Sequence, residues 1–398
     1  MSIEKKGIVI RDPWYEFATN PAYPDAPNQA FQDTMASYLS ELNVRWVRLE
    51  FHIAGDDVEA EVARNDYFIN EVAPRYNLKV LGLLSFDLLR GTSPRQLMID
   101  KEETDLLYGG GVNAYMHTWL DRARFIANRY QDKIHAYEIL NEHNRLPLPT
   151  SVEAERFADL TYRGRAIPPY LAARLHTKFY HFFHNRDRED LPEGASWRDQ
   201  TPVIIGGLHP KGTGEPDERD YLSDLEYLHQ LYTHPWGGFP DYHKTFGTFP
   251  TDGLGYHPYP EEIRGSLNRL PHHRDIAWET TMLAYRLDEL RQELRGLEHP
   301  DLPFWITEIG YNIAYGNHDT EGQAASLEAV QRMLLARADV ATSFWFKYED
   351  FPGLDGRDTQ KWGLVHIPYT VDDGVVAYDP QGTPAYTRLA YHTYSTMG

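Results

Sequence analysis

Short apolar runs alternate with amphipathic segments along the whole chain, and this alternation constrains the fold more than any other feature. The runs are rich in Val, Ile, Leu and aromatic residues, as buried strands are. The segments between them repeat their apolar residues with the helical period of about 3.6. Eight runs are found, at 7–10, 44–51, 78–86, 134–142, 202–209, 253–259, 303–310 and 341–348.

The segments that follow the runs predict helices, so the chain repeats a strand and then a helix. Strands separated by helices pair in parallel through right-handed crossovers. Eight such units close a (β/α)8 barrel, the TIM-barrel class of α/β fold. The helices are predicted at 28–42, 58–76, 112–130, 169–186, 219–233, 275–296, 322–338 and 384–395, with a hairpin at 371–378.

The 398 residues fit one barrel with long loops, so a single domain over 1–398 is predicted. Long connections follow three of the strands, at 87–111, 143–168 and 210–218. In a barrel these loops lie on the C-terminal face, where catalytic groups gather. The segment 234–250 precedes the sixth strand, so it is expected at the opposite end unless it folds upward.

Composition restricts the partners. The formal charge of -20 argues against nucleic-acid partners, because a nucleic-acid binder normally needs a basic face and none is visible in the sequence, so a neutral ligand fits better. Aromatic residues make up 13% of the chain, and rings outside the core are platforms for the flat faces of sugars. There is no cysteine, which excludes disulfides and thiolate metal sites.

The sequence predicts no membrane partner, because no apolar run approaches a length of about 18 residues. The first residues contain no apolar leader. They predict a cytoplasmic protein, or a secreted one from which a signal peptide has been removed. Nothing in the sequence indicates an oligomeric state.

Two of the runs carry a glutamate at the C-terminal tip, where a strand leaves the core. Run 134–142 ends on Asn141-Glu142, and run 303–310 carries Glu308. Breaking a glycosidic bond needs a proton for the leaving oxygen and a negative group facing the oxocarbenium-like carbon. Two carboxylates in different protonation states supply both, so the pair favours a glycoside-cleaving site.

The sequence resembles the clan A glycoside hydrolases, which are retaining enzymes on a (β/α)8 barrel, and within them families five and thirty-nine. The resemblance rests on Tyr137-Glu138-Ile139-Leu140-Asn141-Glu142, similar to the clan's aromatic-Glu-x-x-Asn-Glu pattern. The order of the strand tips and the Gly-Thr-Pro-Ala-Tyr before the last helix add to it. The chain departs at His143, where clan members often have Pro, so the resemblance leaves the geometry of the following loop open.

This resemblance implies a retaining O-glycoside hydrolase that cleaves β-linked sugars through a covalent glycosyl-enzyme, with no cofactor. Glu142 would be the acid/base and Glu308 the nucleophile. Asn141 would hold the sugar 2-hydroxyl. The other implied substrate-site residues are Arg48 and a tyrosine of the sixth run, Tyr256 or Tyr259, beside the nucleophile, His257 lining the site, and Trp345 under the first sugar subsite.

Electrostatics predicts different protonation states for the two acids. At about 5.5 Å and an effective dielectric of about 20, an ionised Glu308 disfavours an ionised Glu142 by about 3 kcal/mol, or about two pKa units. We therefore expect Glu142 to keep its proton near neutrality. Once the sugar esterifies Glu308 that charge disappears, and Glu142 can act as a base.

Other polar residues allow more than one interpretation. Arg48 can form a buried ion pair with Glu138, which we interpret as an interior carboxylate, and this contact can coexist with the one to the nucleophile. His209 either touches substrate or is a structural histidine. His272-His273 are interpreted as a solvated pair. No metal site is predicted, since no His-x-His occurs on the first run and no His-Glu-x-x-His or P-loop occurs anywhere.

Two alternatives remain open. One is a sugar-binding barrel that has lost catalysis, although both acids are present. The other is a different barrel enzyme, such as a carbohydrate isomerase or a metal-dependent hydrolase. The identity of the sugar, its linkage, and exo or endo action depend on how the loops at 87–111 and 143–168 close the cleft.

Overall fold

The structure is a computed structural model that covers the barrel and most of its helices. Most of the loops at 143–168 and 210–218 lies outside the described residues, and so does the His272-His273 pair. The described residues are 3–10, 29–92, 94, 96–99, 102, 103, 108, 110–145, 167–184, 200–210, 222–260, 276–315, 318–352, 360–372 and 375–397.

Eight parallel strands close into a barrel, which confirms the (β/α)8 fold predicted from the alternating runs. Each strand pairs with its neighbours in the barrel order, and the eighth closes onto the first. The strands are β1 (Lys6–Val9), β2 (Trp46–Glu50), β3 (Lys79–Leu84), β4 (Ala136–Ile139), β5 (Val203–Leu208), β6 (Gly253–Tyr256), β7 (Phe304–Gly310) and β8 (Val340–Phe346).

Helices surround the barrel. No helix in the described part of the chain is long and apolar enough to cross a membrane. The helices are α1 (Gln29–Glu41), α2 (Val58–Ala63), α3 (Ala114–Tyr130), α4 (Pro169–His184), α5 (Asp224–Thr233), α6 (Phe239–Phe246), α7 (Ile276–Gly296), α8 (Thr320–Ala336) and α9 (Leu389–Thr396). Shorter turns lie at Phe68–Val72, Ala73–Arg75 and Gln96–Ile99.

Several helices begin where a polar side chain caps the first turn. Asn113 accepts from the backbone N–H of Met116 at 2.8 Å, and Asp319 accepts from Gly322 at 2.7 Å. Ser223 and Glu226 form a reciprocal capping box at the start of α5. These caps satisfy N–H groups that have no partner within the helix, and they set where each helix leaves its loop.

Two predicted helices differ from the structure, and a predicted hairpin agrees with it. The helix predicted at 58–76 is interrupted, with a π-helical turn at Phe68–Val72. The last helix begins at Leu389 rather than 384, because Tyr386–Thr387 pairs with Val365–His366 as a short antiparallel ladder. The hairpin predicted at 371–378 is confirmed, with strands Tyr369–Asp372 and Val375–Tyr378.

The segment 234–250 folds upward and contains helix α6, which the sequence did not predict. The ring of His234 stacks on Tyr170 at 4.9 Å, and Trp236 meets the same ring at 6.1 Å. Tyr170 lies in the first turn of α4, and that turn follows the loop from β4. The segment therefore reaches the C-terminal side of the barrel.

Side chains fill the lower part of the barrel interior and form the floor of the upper part. The rings of Trp46 and Trp305 meet edge to face at 5.3 Å. Arg48 follows Trp46 by two residues, and Glu138 follows Ala136 by two, so both point inward above the floor. The floor consists of Val9, Trp46, Leu81, Ala136, Ile204, Trp305 and Phe344.

A buried lysine connects the first strand of the barrel to two helices at the N-terminal end of the barrel. Lys6 Nζ donates to the carbonyls of Leu42 at 2.7 Å and Met397 at 2.9 Å, and also to Tyr394. The hydroxyl of Tyr394 donates back to the Gly7 carbonyl at 2.7 Å. Together these bonds connect β1 to the ends of α1 and α9.

We expect Lys6→Met to lower the free energy of unfolding by about 3 kcal/mol, because buried carbonyls would lose their donor. Urea unfolding followed by circular dichroism measures this. The control is Lys133→Met, on an exposed turn, with an expected change below about 0.5 kcal/mol. Equal unfolding midpoints for the two variants would remove Lys6 from the account of stability.

Candidate active site

The guanidinium of Arg48, on β2, lies at the centre of the upper barrel and connects three other residues. Its Nε donates to Glu138 at 2.6 Å, and one terminal nitrogen donates to Glu308 at 2.7 Å. The other terminal nitrogen donates to the side-chain amide oxygen (Oδ1) of Asn141 at 2.8 Å. The two contacts considered for Arg48, with Glu138 and with the second acid, therefore exist together.

Glu138 is the buried anchor of this group. It is fully buried, and it also accepts the backbone N–H of Gly207 at 2.8 Å. Arg48 and Gly207 together satisfy both carboxylate oxygens. Such a satisfied, desolvated carboxylate orients the arginine but has no access to substrate.

Glu308 projects from β7 and accepts a hydrogen bond on each oxygen. Arg48 reaches one oxygen, and the hydroxyl of Tyr259 reaches the other at 2.9 Å. Burial, reinforced by the charges of Glu308 and Glu142, raises the pKa of the Tyr259 phenol well above its ordinary value. Tyr259 is therefore a hydrogen-bond donor to Glu308 throughout the ordinary pH range.

An irregular register of β7 brings two consecutive residues into the site. Between β7 and β8 the pairing advances from Ile306 to Ile309 on one strand and from Ser343 to Trp345 on the other. One extra residue is thus accommodated in β7, as in a β-bulge. Thr307 and Glu308 both reach polar partners of the site for this reason.

Glu142 lies on a tight turn beyond the end of β4, which stops at Ile139. Leu140 and Glu142 adopt left-handed backbone angles, with φ of 68° and 43°. The N–H of Glu142 donates to the Gly207 carbonyl at 3.0 Å, which fixes the turn against β5. Non-glycine residues in this conformation cost about 1 kcal/mol or more each and concentrate at functional sites.

His257 lies between the two acids. Its Nδ1 is 3.0 Å from Glu142 and 3.7 Å from Glu308, and its Nε2 is 2.9 Å from the Thr307 hydroxyl. A Cβ on Gly207 would lie 2.0 Å from His257 Nε2, so only glycine leaves space for this ring. Facing oxygens of Glu142 and Glu308 and a nitrogen of His257 all lie within 4.8 Å of one another.

The charge state of Glu142 differs from the expectation. Burial raises the pKa of the Glu142 carboxyl, but His209 and His257 outweigh burial and hold that pKa well below its usual range. The expectation that Glu308 alone keeps Glu142 protonated near neutrality is wrong for the protein by itself. The difference arises from His209 and His257, which lower the pKa of Glu142 in addition to any effect of the second acid.

His209 and His143 flank this turn. His209 is buried at the end of β5, with Nδ1 at 3.6 Å from Glu142. The ring of His143 packs against Tyr227 at 5.3 Å, and burial lowers its pKa to about 3. His143 is therefore a neutral packing residue, while the loop after it lies outside the described residues from 146 to 166.

The structure does not bring Tyr256 or Trp345 to the acids. Tyr256 is fully buried, and its hydroxyl donates to Asp224 of α5 at 2.7 Å, on the helix side of the barrel. Trp345 is also fully buried in the outer core, because its neighbour Phe344 occupies the barrel interior. Side chains alternate along a strand, so the two cannot share a face.

Phe346 and Trp362 instead form an aromatic wall beside Glu308. The ring of Trp362 lies 5.6 Å from Tyr259 and 5.5 Å from Phe346. Trp362 is half-buried, and its indole N–H donates to Gln360 at 2.8 Å. No sequence pattern marks Trp362 as a site residue, because it lies in an irregular segment well beyond β8.

A second polar group at the rim was also missed. Glu50 follows Arg48 by two residues on β2, and His52 lies 2.8 Å from Asp87 and 3.9 Å from Glu50. Burial raises the pKa of Glu50 to about 7, opposed by His52 and Arg48 and reinforced by Asp87 and Glu308. The signal that could have found Glu50 is its spacing from Arg48, which gives both the same face.

Two triads among the described residues have ligand atoms close enough for a metal ion: Glu142 with His257 and Glu308, and Glu50 with His52 and Asp87. In the first, Arg48 and Tyr259 donate to both oxygens of Glu308. A guanidinium at 2.7 Å repels a cation. Hydrogen-bond donors therefore surround Glu308 where a metal ion would have to bind. That the site holds no metal ion stays a prediction.

Comparison with solved structures places this fold among glycoside hydrolases. A family 1 β-glucosidase from Exiguobacterium antarcticum matches 99% of this chain and 97% of its own, at 13% identity and a TM-score of 0.54. An aphid myrosinase matches over 99% and 98%, at 15% identity and 0.54. An endo-laminarinase from Formosa matches over 91% and 83%, at 14% identity and 0.53.

These likenesses confirm the resemblance at the level of the fold: the chain has the closed (β/α)8 barrel of these glycoside hydrolases. No protein-family model and no curated protein sequence matches the chain.

Proposed function

We propose that the protein is a retaining O-glycoside hydrolase acting on β-linked sugars. The spacing of the two acids carries the proposal, since facing oxygens of Glu142 and Glu308 lie within 4.8 Å. Retaining enzymes hold their carboxyl groups about 5 to 5.5 Å apart, whereas inverting enzymes leave about 6.5 to 9.5 Å for a water molecule. The pair fits direct attack by one carboxylate.

In the first step, Glu308 attacks the anomeric carbon and the bond to the leaving oxygen breaks. Arg48 and Tyr259 each donate a hydrogen bond to the Glu308 carboxylate and orient it for this attack. A glycosyl ester of Glu308 forms. Its second oxygen keeps a donor throughout, because the two donors reach different oxygens.

The leaving oxygen receives its proton from Glu142. Because the pKa of the Glu142 carboxyl is low in the protein alone, Glu142 needs a proton before it can act as an acid, and the His257 ring at 3.0 Å is a neighbour that can pass one to it. A leaving oxygen that gains negative charge then draws this proton from Glu142. In the second step Glu142 takes a proton from water, which displaces Glu308 from the sugar.

A neutral oligosaccharide or glycoside fits the remaining groups. Asn141 accepts from Arg48 on its oxygen, so its amide nitrogen is the end that can donate to a sugar hydroxyl. The wall of Phe346 and Trp362 offers a ring face beside Glu308. The net charge of -20 disfavours polyanionic substrates such as nucleic acids.

Replacing the nucleophile tests the mechanism. We expect Glu308→Gly to abolish release of nitrophenol from a panel of nitrophenyl β-glycosides, because no ester can form. Azide or formate should restore release from the substrate that the unsubstituted protein cleaves, since a small anion can occupy the vacated space. Glu321→Gly, at an exposed helix start, is the control and should keep full activity.

Three results would contradict this mechanism. Full turnover by Glu308→Gly would show that Glu308 is not the nucleophile. Loss of turnover after exhaustive chelation would favour the alternative of a metal-dependent barrel enzyme. Binding of glycosides without any turnover would favour the sugar-binding alternative.

Trp362 and Trp345 give a matched pair of tryptophans for the sugar platform. We expect Trp362→Ala to raise KM about tenfold with a smaller change in kcat, because one ring-face contact is worth about 1.4 kcal/mol. Trp345→Phe should lower stability and leave KM unchanged, since its ring lies in the outer core. A raised KM in Trp345→Phe alone would reverse these assignments.

A further inference from the structure

Arg145 and His209 form a contact on one flank of Glu142. Arg145 lies just beyond the turn that carries Glu142, and one of its terminal nitrogens is 2.7 Å from His209 Nε2. An arginine has only donors, so Nε2 of His209 accepts this bond. The ring proton of His209 then sits on Nδ1, the atom that faces Glu142 at 3.6 Å.

The backbone holds His209 in this place without help from its side chain. Asn144 donates from its amide to the His209 carbonyl at 2.8 Å and accepts the His209 N–H at 2.9 Å. The N–H of Arg145 donates to the Glu142 carbonyl at 2.7 Å. The turn and the end of β5 are thus joined by bonds from the Asn144 side chain to the backbone of His209, so a side-chain substitution at His209 tests chemistry rather than chain position.

His257 contacts the same oxygen of Glu142 but differs from His209 in its second partner. Nε2 of His257 faces the Thr307 hydroxyl, which can donate or accept. His257 can therefore be neutral or doubly protonated without losing that bond. His209 would have to give up its bond with Arg145 to gain a second proton, and it would then place a positive charge beside a guanidinium.

Other ionisable groups surround Glu142 in the described part of the chain. Glu308 on β7 repels its charge, Arg48 on β2 attracts it, and Tyr259 beyond β6 is a neutral phenol. Beside Glu142, His143 is held neutral by burial. His209 and His257 each face a Glu142 oxygen at less than 4 Å.

We propose that Arg145 and His209 are positioning residues, which present one fixed N–H of the His209 ring to the Glu142 carboxylate. This deepens the proposed function, because it takes Glu142 as the acid/base. Arg145 acts by fixing the tautomer of His209, and His209 acts by stabilising the Glu142 carboxylate.

The test follows the protonation of Glu142 directly, by carbon NMR of the full chain labelled at the glutamate δ-carbon. The Glu142 signal is identified as the one missing in Glu142→Gln. On titration from neutral towards acid, we expect this signal in His209→Leu to start moving to the protonated position about one pH unit higher than in the unsubstituted protein. Loss of one donor to the carboxylate has this sign.

Three further variants separate the proposal from a general effect of mutation. His209→Asn places an amide nitrogen near the Nδ1 position, and an amide does not titrate. The Glu142 signal in this variant should therefore follow the same titration curve as in the unsubstituted protein. Arg145→Met should raise the pH at which the Glu142 signal starts to move, as His209→Leu does. The Arg145 side chain is exposed, so this variant is expected to fold normally. Arg64→Met, at an ion pair with Glu61 on α2, should change nothing.

Identical titration of Glu142 in the unsubstituted protein, His209→Leu and Arg145→Met would overturn the proposal. An equal upward shift in His209→Asn and His209→Leu would also overturn it, since any loss of the ring would then suffice. The readout needs no turnover. A protein that cleaves no glycoside yet shows the expected shifts would refute the proposed function and leave the positioning pair intact.

Discussion

The guanidinium of Arg48 is the interaction on which the site depends. It bonds a fully buried carboxylate, a half-buried amide and Glu308, and so connects β2 to the tips of β4 and β7. Two carboxylates and an arginine in a desolvated interior are stable only when every donor and acceptor is matched. Here Glu138 accepts hydrogen bonds from Arg48 and from the Gly207 N–H deep in the barrel, and Tyr259 donates to the second oxygen of Glu308 nearer the opening.

The architecture was predictable because the fold rests on repeated local signals. Apolar runs and amphipathic segments specify strands and helices independently of one another, and their order specifies the barrel. Elements set by tertiary contacts were not predictable. Helix α6 forms where aromatic residues dock on α4, and α9 starts late because a two-residue ladder holds the chain before it.

The acids were predictable from their place at strand tips, but much of the surrounding site was not. The sequence does not tell which face of β8 points inward, and in the structure Phe344 rather than Trp345 occupies that face. Trp362 arrives from a distant irregular segment. The low pKa of Glu142 arises from histidines on β5 and beyond β6, which only the closed barrel brings together.

The central claim is that Glu308 attacks the sugar while the proton shared by Glu142 and His257 reaches the leaving oxygen. The most direct measurement is the configuration of the sugar first released from a β-glycoside, followed by proton NMR before the anomers equilibrate. Two successive displacements at the anomeric carbon predict the β-anomer. Release of the α-anomer would mean a single displacement by water and would contradict the account.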